Sequence, residues 1–226
     1  MKNKLFLFDI DGTLISPGPS ARKAINRAIE NFTGIPPNLQ IKDVAGMTDR
    51  LIVKNALEKN GTVGDITETT NNIINNYLAL FENTYQKSKE AFVYEDALEL
   101  VQKVKEKLIP LGLLTGNVKR GAEIKLKQFD LMKHFSFGAF GEEGATRSDL
   151  PIVARNRAQK VLGKDYEFED IVLVGDTPED AIAAKVNGCK SIIVCRRQEW
   201  YDEIVQTGAD LIVKRLDDPA IKISIL

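Results

Sequence analysis

The stretch Leu5-Phe6-Leu7-Phe8-Asp9-Ile10-Asp11-Gly12-Thr13 constrains what the rest of the chain can form. Leu5 to Phe8 is an unbroken apolar run, rich in strand formers and too short for a stable helix, which predicts a buried parallel strand. The run ends in two carboxylates, Asp9 and Asp11, followed by Gly12 and Thr13. Side chains alternate along a strand, so Asp9 and Asp11 share one side as the chain leaves the sheet. Two carboxylates that close repel each other unless one is protonated or a cation lies between them. Gly12 supplies a tight turn, and Thr13 brings a hydroxyl able to donate to a bound anion. An incidental Asp-Gly turn would have the same local sequence. The buried run ahead of it separates the two readings, because ligands of open parallel sheets sit at the carboxyl ends of the strands.

After a Pro- and Gly-containing connection the pattern turns helical. Ala21, Ala24, Ile25, Ala28, Ile29 and Phe32 fall at three-and-four spacing, and Gly34 with Pro36-Pro37 stops the helix. Thr48 is placed to cap a second helix that ends at Asn60-Gly61, and a third is expected over about residues 67–89. From residue 97 onward helical patterns alternate with short apolar runs. The runs fall at Ile109–Leu114, Phe135–Phe140, Ile171–Val174, Ser191–Cys195 and Ala209–Val213. Such alternation predicts an α/β fold, a doubly wound parallel sheet with helices on both faces. An all-helical segment, residues 16–88, interrupts it after the first strand, leaving 1–15 and 89–226 as the core domain.

Two later strand ends carry polar residues. Leu113-Leu114 runs into Thr115-Gly116-Asn117, a hydroxyl, a glycine and an amide suited to presenting donors to a phosphate. Ile171 to Val174 runs into Gly175-Asp176-Thr177-Pro178-Glu179-Asp180. Thr177 and Asp180 have capping-box spacing with Pro178 at the first helical position, which leaves Asp176 unexplained by capping alone. Arg147 precedes another helix. Asp9, Asp11 and Asp176 offer oxygen ligands suited to Mg²⁺, and Thr115, Asn117 and Arg147 offer donors for phosphoryl oxygens. Arg50, at the start of the Thr48-capped helix, is placed either to bind a second anionic group on the substrate or simply to pair with Asp49 or an acid one turn away.

Asp9-Ile10-Asp11-Gly12-Thr13, Leu114-Thr115-Gly116-Asn117 and Gly175-Asp176-Thr177-Pro178-Glu179-Asp180 resemble motifs one, two and four of the haloacid dehalogenase superfamily. The resemblance spans essentially the whole chain. It implies that Asp9 is the nucleophile and Asp11 the general acid/base. It also implies that Thr115 binds the phosphoryl group and that Asp176 with Asp180 helps hold magnesium. The inserted helices resemble the cap of the phosphoglycolate-phosphatase-like and phosphomutase-like branch. The family's third motif supplies a lysine; here the nearest cation is Arg147, with Lys160 and Lys164 as alternatives. Arg147→Ala is accordingly expected to cost rate with little change in melting temperature. The activity implied is Mg²⁺-dependent hydrolysis of a small phosphorylated metabolite through an aspartyl-phosphate. A phosphosugar mutase and a non-catalytic binding protein on the same fold are the alternatives. Mutases of this kind use a cap histidine, and the one histidine here, His134, lies outside residues 16–88.

Composition agrees with these expectations. The chain has 226 residues, 43% of them hydrophobic, and a formal net charge of -1, so it has the material for a sizeable core and no basic run for nucleic acid. Its 2 cysteines, Cys189 and Cys195, make no disulfide framework. No apolar stretch reaches membrane-spanning length, and the acids at 9 and 11 break the layout of a secretory leader. A cytoplasmic location is expected, with no membrane or nucleic-acid partner. The sequence does not speak to the oligomeric state.

Overall fold

Strand β1, Leu5–Phe8, is buried along its whole length and lies at the centre of the sheet in a computed structural model that describes residues 4–61 and 64–224. Its side chains alternate. Phe6 and Phe8 enter the core on one face, and Leu5 and Leu7 enter the core on the other. A strand covered on both faces has no use for polar residues, which is why the run is continuous rather than alternating.

The sheet order is β5 (Phe137–Ala139), β4 (Leu111–Leu114), β1, β6 (Ile171–Gly175), β7 (Lys190–Val194), β8 (Leu211–Val213), with every pairing parallel. Helices α4 (Glu95–Glu106) and α5 (Lys119–Lys127) cover the face of Phe6 and Phe8. Helices α6 (Leu150–Leu162) and α7 (Pro178–Asn187) cover the face of Leu5 and Leu7. The doubly wound architecture expected from the sequence is therefore present. Strand order reverses at β1, with β4 on one side and β6 on the other. That is the switch point at which open α/β sheets bind ligands. The register pairs Phe8 with both Leu113 and Val174, so the turns that follow β1, β4 and β6 emerge side by side.

Between β1 and β4 come α1 (Ser20–Thr33), α2 (Asp49–Lys59) and α3 (Ile66–Tyr85). Each end has a sequence reason. Gly34 closes α1 at φ 73°, the Thr48 hydroxyl accepts the Leu51 N–H, and Asp65 accepts those of Thr67 and Glu68. Ile25, Ile29, Ile52, Leu57, Ile73, Tyr77 and Phe81 form a separate core for these helices. Fully burying each such side chain stabilises by about 1.5–3 kcal/mol. Val118 and Ile124 of α5 belong to the same cluster, so the insertion rests on α5.

Four details depart from the expected pattern. Strand β4 begins at Leu111 rather than Ile109, because Pro110 has no N–H for the ladder; its carbonyl instead accepts the Phe6 N–H. Helix α3 ends at Tyr85, short of residue 89. The two crossings between core and insertion form a small antiparallel pair, β2 (Ile15–Ser16) and β3 (Phe92–Val93), too short for periodicity to show. A last helix, Pro219–Ser224, follows β8. Among the described residues no helix is long and apolar enough to cross a membrane.

Candidate active site

Asp9 continues β1, its N–H bonded to the Val174 carbonyl, and its side chain is buried. Asp176 follows β6 directly. Asp180 sits in the first turn of α7, where its Oδ2 accepts the Asp176 N–H, the Thr177 N–H and the Thr177 hydroxyl, which is the expected capping box. One carboxylate oxygen from each of Asp9, Asp176 and Asp180 lies within 4.8 Å of the others. Arg147 is brought to the same point, with Nη2 2.6 Å from Asp9 Oδ1 and 2.6 Å from Asp180 Oδ1. It is only 6% exposed. Lys160 and Lys164, the other cations considered for this place, are exposed.

The electrostatics follow from burial. Loss of hydration pushes Asp9 up to about 6; Arg147 opposes the rise, while Asp180 and Asp11 add to it. Burial and the same neighbours hold Asp176 well above the ordinary carboxylate range. Burial also works against the charge of Arg147, but the facing carboxylates of Asp180 and Asp9 outweigh it and raise its pKa. Three buried, mutually repelling carboxylates with one guanidinium lack positive charge. Their all-oxygen donor set fits a hard divalent cation.

Asp11 stands apart from this cluster. Sequence reasoning placed it among the metal ligands, but its Oδ2 is 2.9 Å from Asn117 Nδ2 and 2.5 Å from Lys125 Nζ. Asn117 likewise departs from its expected part as a phosphate donor. Its Nδ2 donates to Asp11 Oδ2 and Thr115 Oγ1, its Oδ1 accepts from Lys125, and its backbone N–H also goes to Thr115 Oγ1. The amide orients its neighbours. Thr115 Oγ1 accepts twice, which leaves its O–H free to donate.

Gly12 has φ 81°, a left-handed turn that favours glycine, and a Cβ there would lie 2.0 Å from Asp176 Oδ2. Its N–H is bonded to the Ile15 carbonyl and is not offered to an anion. The Thr13 hydroxyl is directed at Asp176 Oδ1, 3.5 Å away, rather than at a ligand. Gly116 lines the cavity, its carbonyl taking the Asp49 N–H.

These residues form the floor of a cavity of about 700 Å³ whose opposite wall is the insertion, including Ile25, Ile52 and Tyr77. Arg50 does not reach it. Helix α2 turns that side chain away and presents Asp49, whose Oδ2 accepts the Val118 N–H at 2.8 Å. Burial pushes Asp49 up to about 6, with the Lys125 charge opposing. Contact between insertion and core is close: a Cβ on Gly116 would lie 2.1 Å from the Met47 carbonyl oxygen.

The haloacid dehalogenase-like hydrolase profile matches residues 6–194. The chain belongs to that family. This hydrolase is 25% identical over 221 residues to phosphoglycolate phosphatase 1 of Pseudomonas aeruginosa, covering 95% of this chain and 78% of that protein. It is also 25% identical over 217 residues to phosphoglycolate phosphatase of Vibrio vulnificus, covering 94% and 92%. Among solved structures, a predicted phosphatase from Clostridium acetobutylicum superposes with a TM-score of 0.76 at 23% identity, over 100% of both chains.

Two residues of the hydrolase's site escaped sequence reasoning. Arg196 lies against the Tyr94 ring at 3.6 Å, pairs with both oxygens of Asp96, and donates to the carbonyls of Gly12 and Thr13. It braces the turn after β1 from outside. Lys125 is the other; it lies on α5, outside the strand-end motifs that mark the site.

Proposed function

We propose that this hydrolase is a Mg²⁺-dependent phosphomonoesterase acting on a small phosphorylated metabolite through an aspartyl-phosphate. One observation carries the reading. Asp9, buried at the carboxyl end of the central strand, shares one site with Arg147, Asp176 and Asp180 on the floor of a cavity between the sheet and the insertion. A nucleophile for a dianionic phosphate needs its own charge neutralised, and this arrangement concentrates the groups for that.

In this reading Asp9 attacks phosphorus in line and the P–O bond to the leaving alcohol breaks. Asp11 gives its proton to the departing oxygen, then takes one from the water that hydrolyses the acyl phosphate. Arg147 offsets charge on Asp9 and on a phosphoryl oxygen; its Nε is buried without a hydrogen-bond partner. Thr115 donates its free hydroxyl hydrogen. Asp9, Asp176 and Asp180 would hold Mg²⁺, which supplies further neutralisation of phosphoryl charge. The insertion acts as a cap that excludes water. The names of the P. aeruginosa and V. vulnificus relatives make 2-phosphoglycolate the first substrate to try. The mutase alternative has no histidine in the cap to lean on, since His134 bonds Lys105 and lies outside the cavity lining.

The test is phosphate release from a metabolite panel led by 2-phosphoglycolate, with Mg²⁺ and with chelator. Wild-type protein should release phosphate only with the metal, and Asp9→Asn should be folded and inert. Turnover by Asp9→Asn, or no release from any compound by the wild type, would sink the reading.

A further inference from the structure

Lys125 is a buried cation with no part in the steps above. It is 2% exposed, on α5, and outside every motif that pointed to the site. Burying a lysine is costly unless its charge is met, and here it is met at the centre of the site. Nζ lies 2.5 Å from Asp11 Oδ2 and 2.5 Å from Asn117 Oδ1. The Phe81 ring of α3 covers it, with its centroid 5.7 Å from Nζ, so the pair is shielded by the insertion.

Both donors to Asp11 arrive at one oxygen. Oδ2 takes Lys125 and Asn117, while Oδ1 is buried and takes no hydrogen bond. A carboxylate has no intrinsic preference for which oxygen it presents, because its terminal torsion is broad and nearly two-fold. The choice must come from its partners. We propose that Lys125 is a positioning residue that fixes the rotation of the Asp11 carboxyl through Oδ2 and so sets where this proton donor stands against the ester oxygen of the substrate. The same ammonium sets the Asn117 amide, whose two N–H groups run to Asp11 and Thr115. One side chain thus orients both the proton donor and the hydroxyl that meets the phosphoryl group. This inference rests on the reading of Asp11 as proton donor to a phosphate ester.

A purely structural tie between α5 and the β1 turn would affect all substrates alike. A positioning role would not. The constant kcat/KM reports the steps up to the aspartyl-phosphate, in which an alkoxide needs a proton and p-nitrophenolate does not. Lys125→Met should lower kcat/KM on an alkyl phosphate by about 100-fold and on p-nitrophenyl phosphate by less than about tenfold. The ratio should approach that of Asp11→Asn. Parallel losses, or no loss, would overturn the proposal. A measurement on the wild type does not depend on the variant folding: a crystal structure with orthovanadate should show Lys125 on Oδ2 and the Asp11 carboxyl within hydrogen-bond reach of the apical oxygen. Lys125 on Oδ1, or withdrawn from Asp11, would overturn it too. If the wild type releases phosphate from nothing, the phosphatase reading fails on its own, and the vanadate complex still decides the placement of Lys125.

Discussion

Replacing Arg147 by Ala should cost folding stability as well as rate. The guanidinium is 6% exposed, and its Nη2 is 2.6 Å from one oxygen of Asp9 and 2.6 Å from one of Asp180. Removing one partner of a buried pair leaves uncompensated charge and typically costs about 3–5 kcal/mol. For a chain of this size each kcal/mol moves the melting midpoint by about 2–4 °C, so the midpoint should fall by roughly 6–20 °C. This replaces the expectation from sequence that the melting temperature would hardly change. The penalty should depend on pH, and the sign can be worked out. Burial raises Asp9 to about 6 in the folded protein while Arg147 opposes the rise, so losing Arg147 raises it further. A carboxylate with a raised folded pKa binds more protons folded than unfolded, so stability falls as pH rises from about 4 through the folded value. The Arg147→Ala penalty should therefore be largest near pH 8 and shrink toward pH 5. Saturating Mg²⁺ should restore part of it at the higher pH. The assay is calorimetric or optical melting of both proteins at the two pH values, with Mg²⁺ and with chelator. A midpoint drop below about 2 °C near pH 8, or an equal drop at pH 5, would refute the reasoning.

Metal-free wild-type protein should itself grow more stable as pH falls from 7 to 5, because Asp9 and Asp49 are both raised to about 6. Each contributes about 1.3 kcal/mol across that window. Glu143, Asp210 and Asp217 have lowered values and act only below that window, while His134, also lowered, works the other way below its ordinary 6.5. Melting midpoints that fall monotonically over this range would contradict the assignment. Gly116→Ala should displace the insertion from the core, because its Cβ would meet the Met47 carbonyl oxygen at 2.1 Å. A displacement of about 1 Å should cost kcat/KM on the order of 100-fold, and a rate within twofold of wild type would show that this contact does not set the site.

The groups that sequence reasoning brought together share one property: each borders an element whose pattern is unmistakable. Asp9, Thr115 and Asp176 directly follow apolar strands, Asp180 sits three residues into a Pro-started helix, and Arg147 precedes another helix. Placement along the chain then implies placement in space, because parallel strands end together at the switch point. Direction was harder to read. Asn117 stands at the right place, yet its amide turns to Asp11 and Thr115, and at the start of α2 it is Asp49 rather than Arg50 that faces the cavity. A rotation of one residue along a helix decides such a question, and a sequence does not mark it when neighbouring residues are all polar.

Lys125 was illegible for a further reason. Helix α5 reads Lys-Arg-Gly-Ala-Glu-Ile-Lys-Leu-Lys, so a lysine there looks like one more solvated charge beside Lys119 and Lys127. Its apolar residues do not form one stripe: Ala122 and Leu126 pack on the sheet, whereas Val118 and Ile124 pack into the insertion. On the core alone, the Lys125 side of the helix would be open to water, and a lysine is what such a side ordinarily carries. The inserted helices turn it into interior by placing Phe81 over the ammonium. Burial of Lys125 is therefore a property of two segments far apart in sequence, and its counter-charge, Asp11, comes from a third. The long-range packing that makes Lys125 effective is also what hid it from any local pattern.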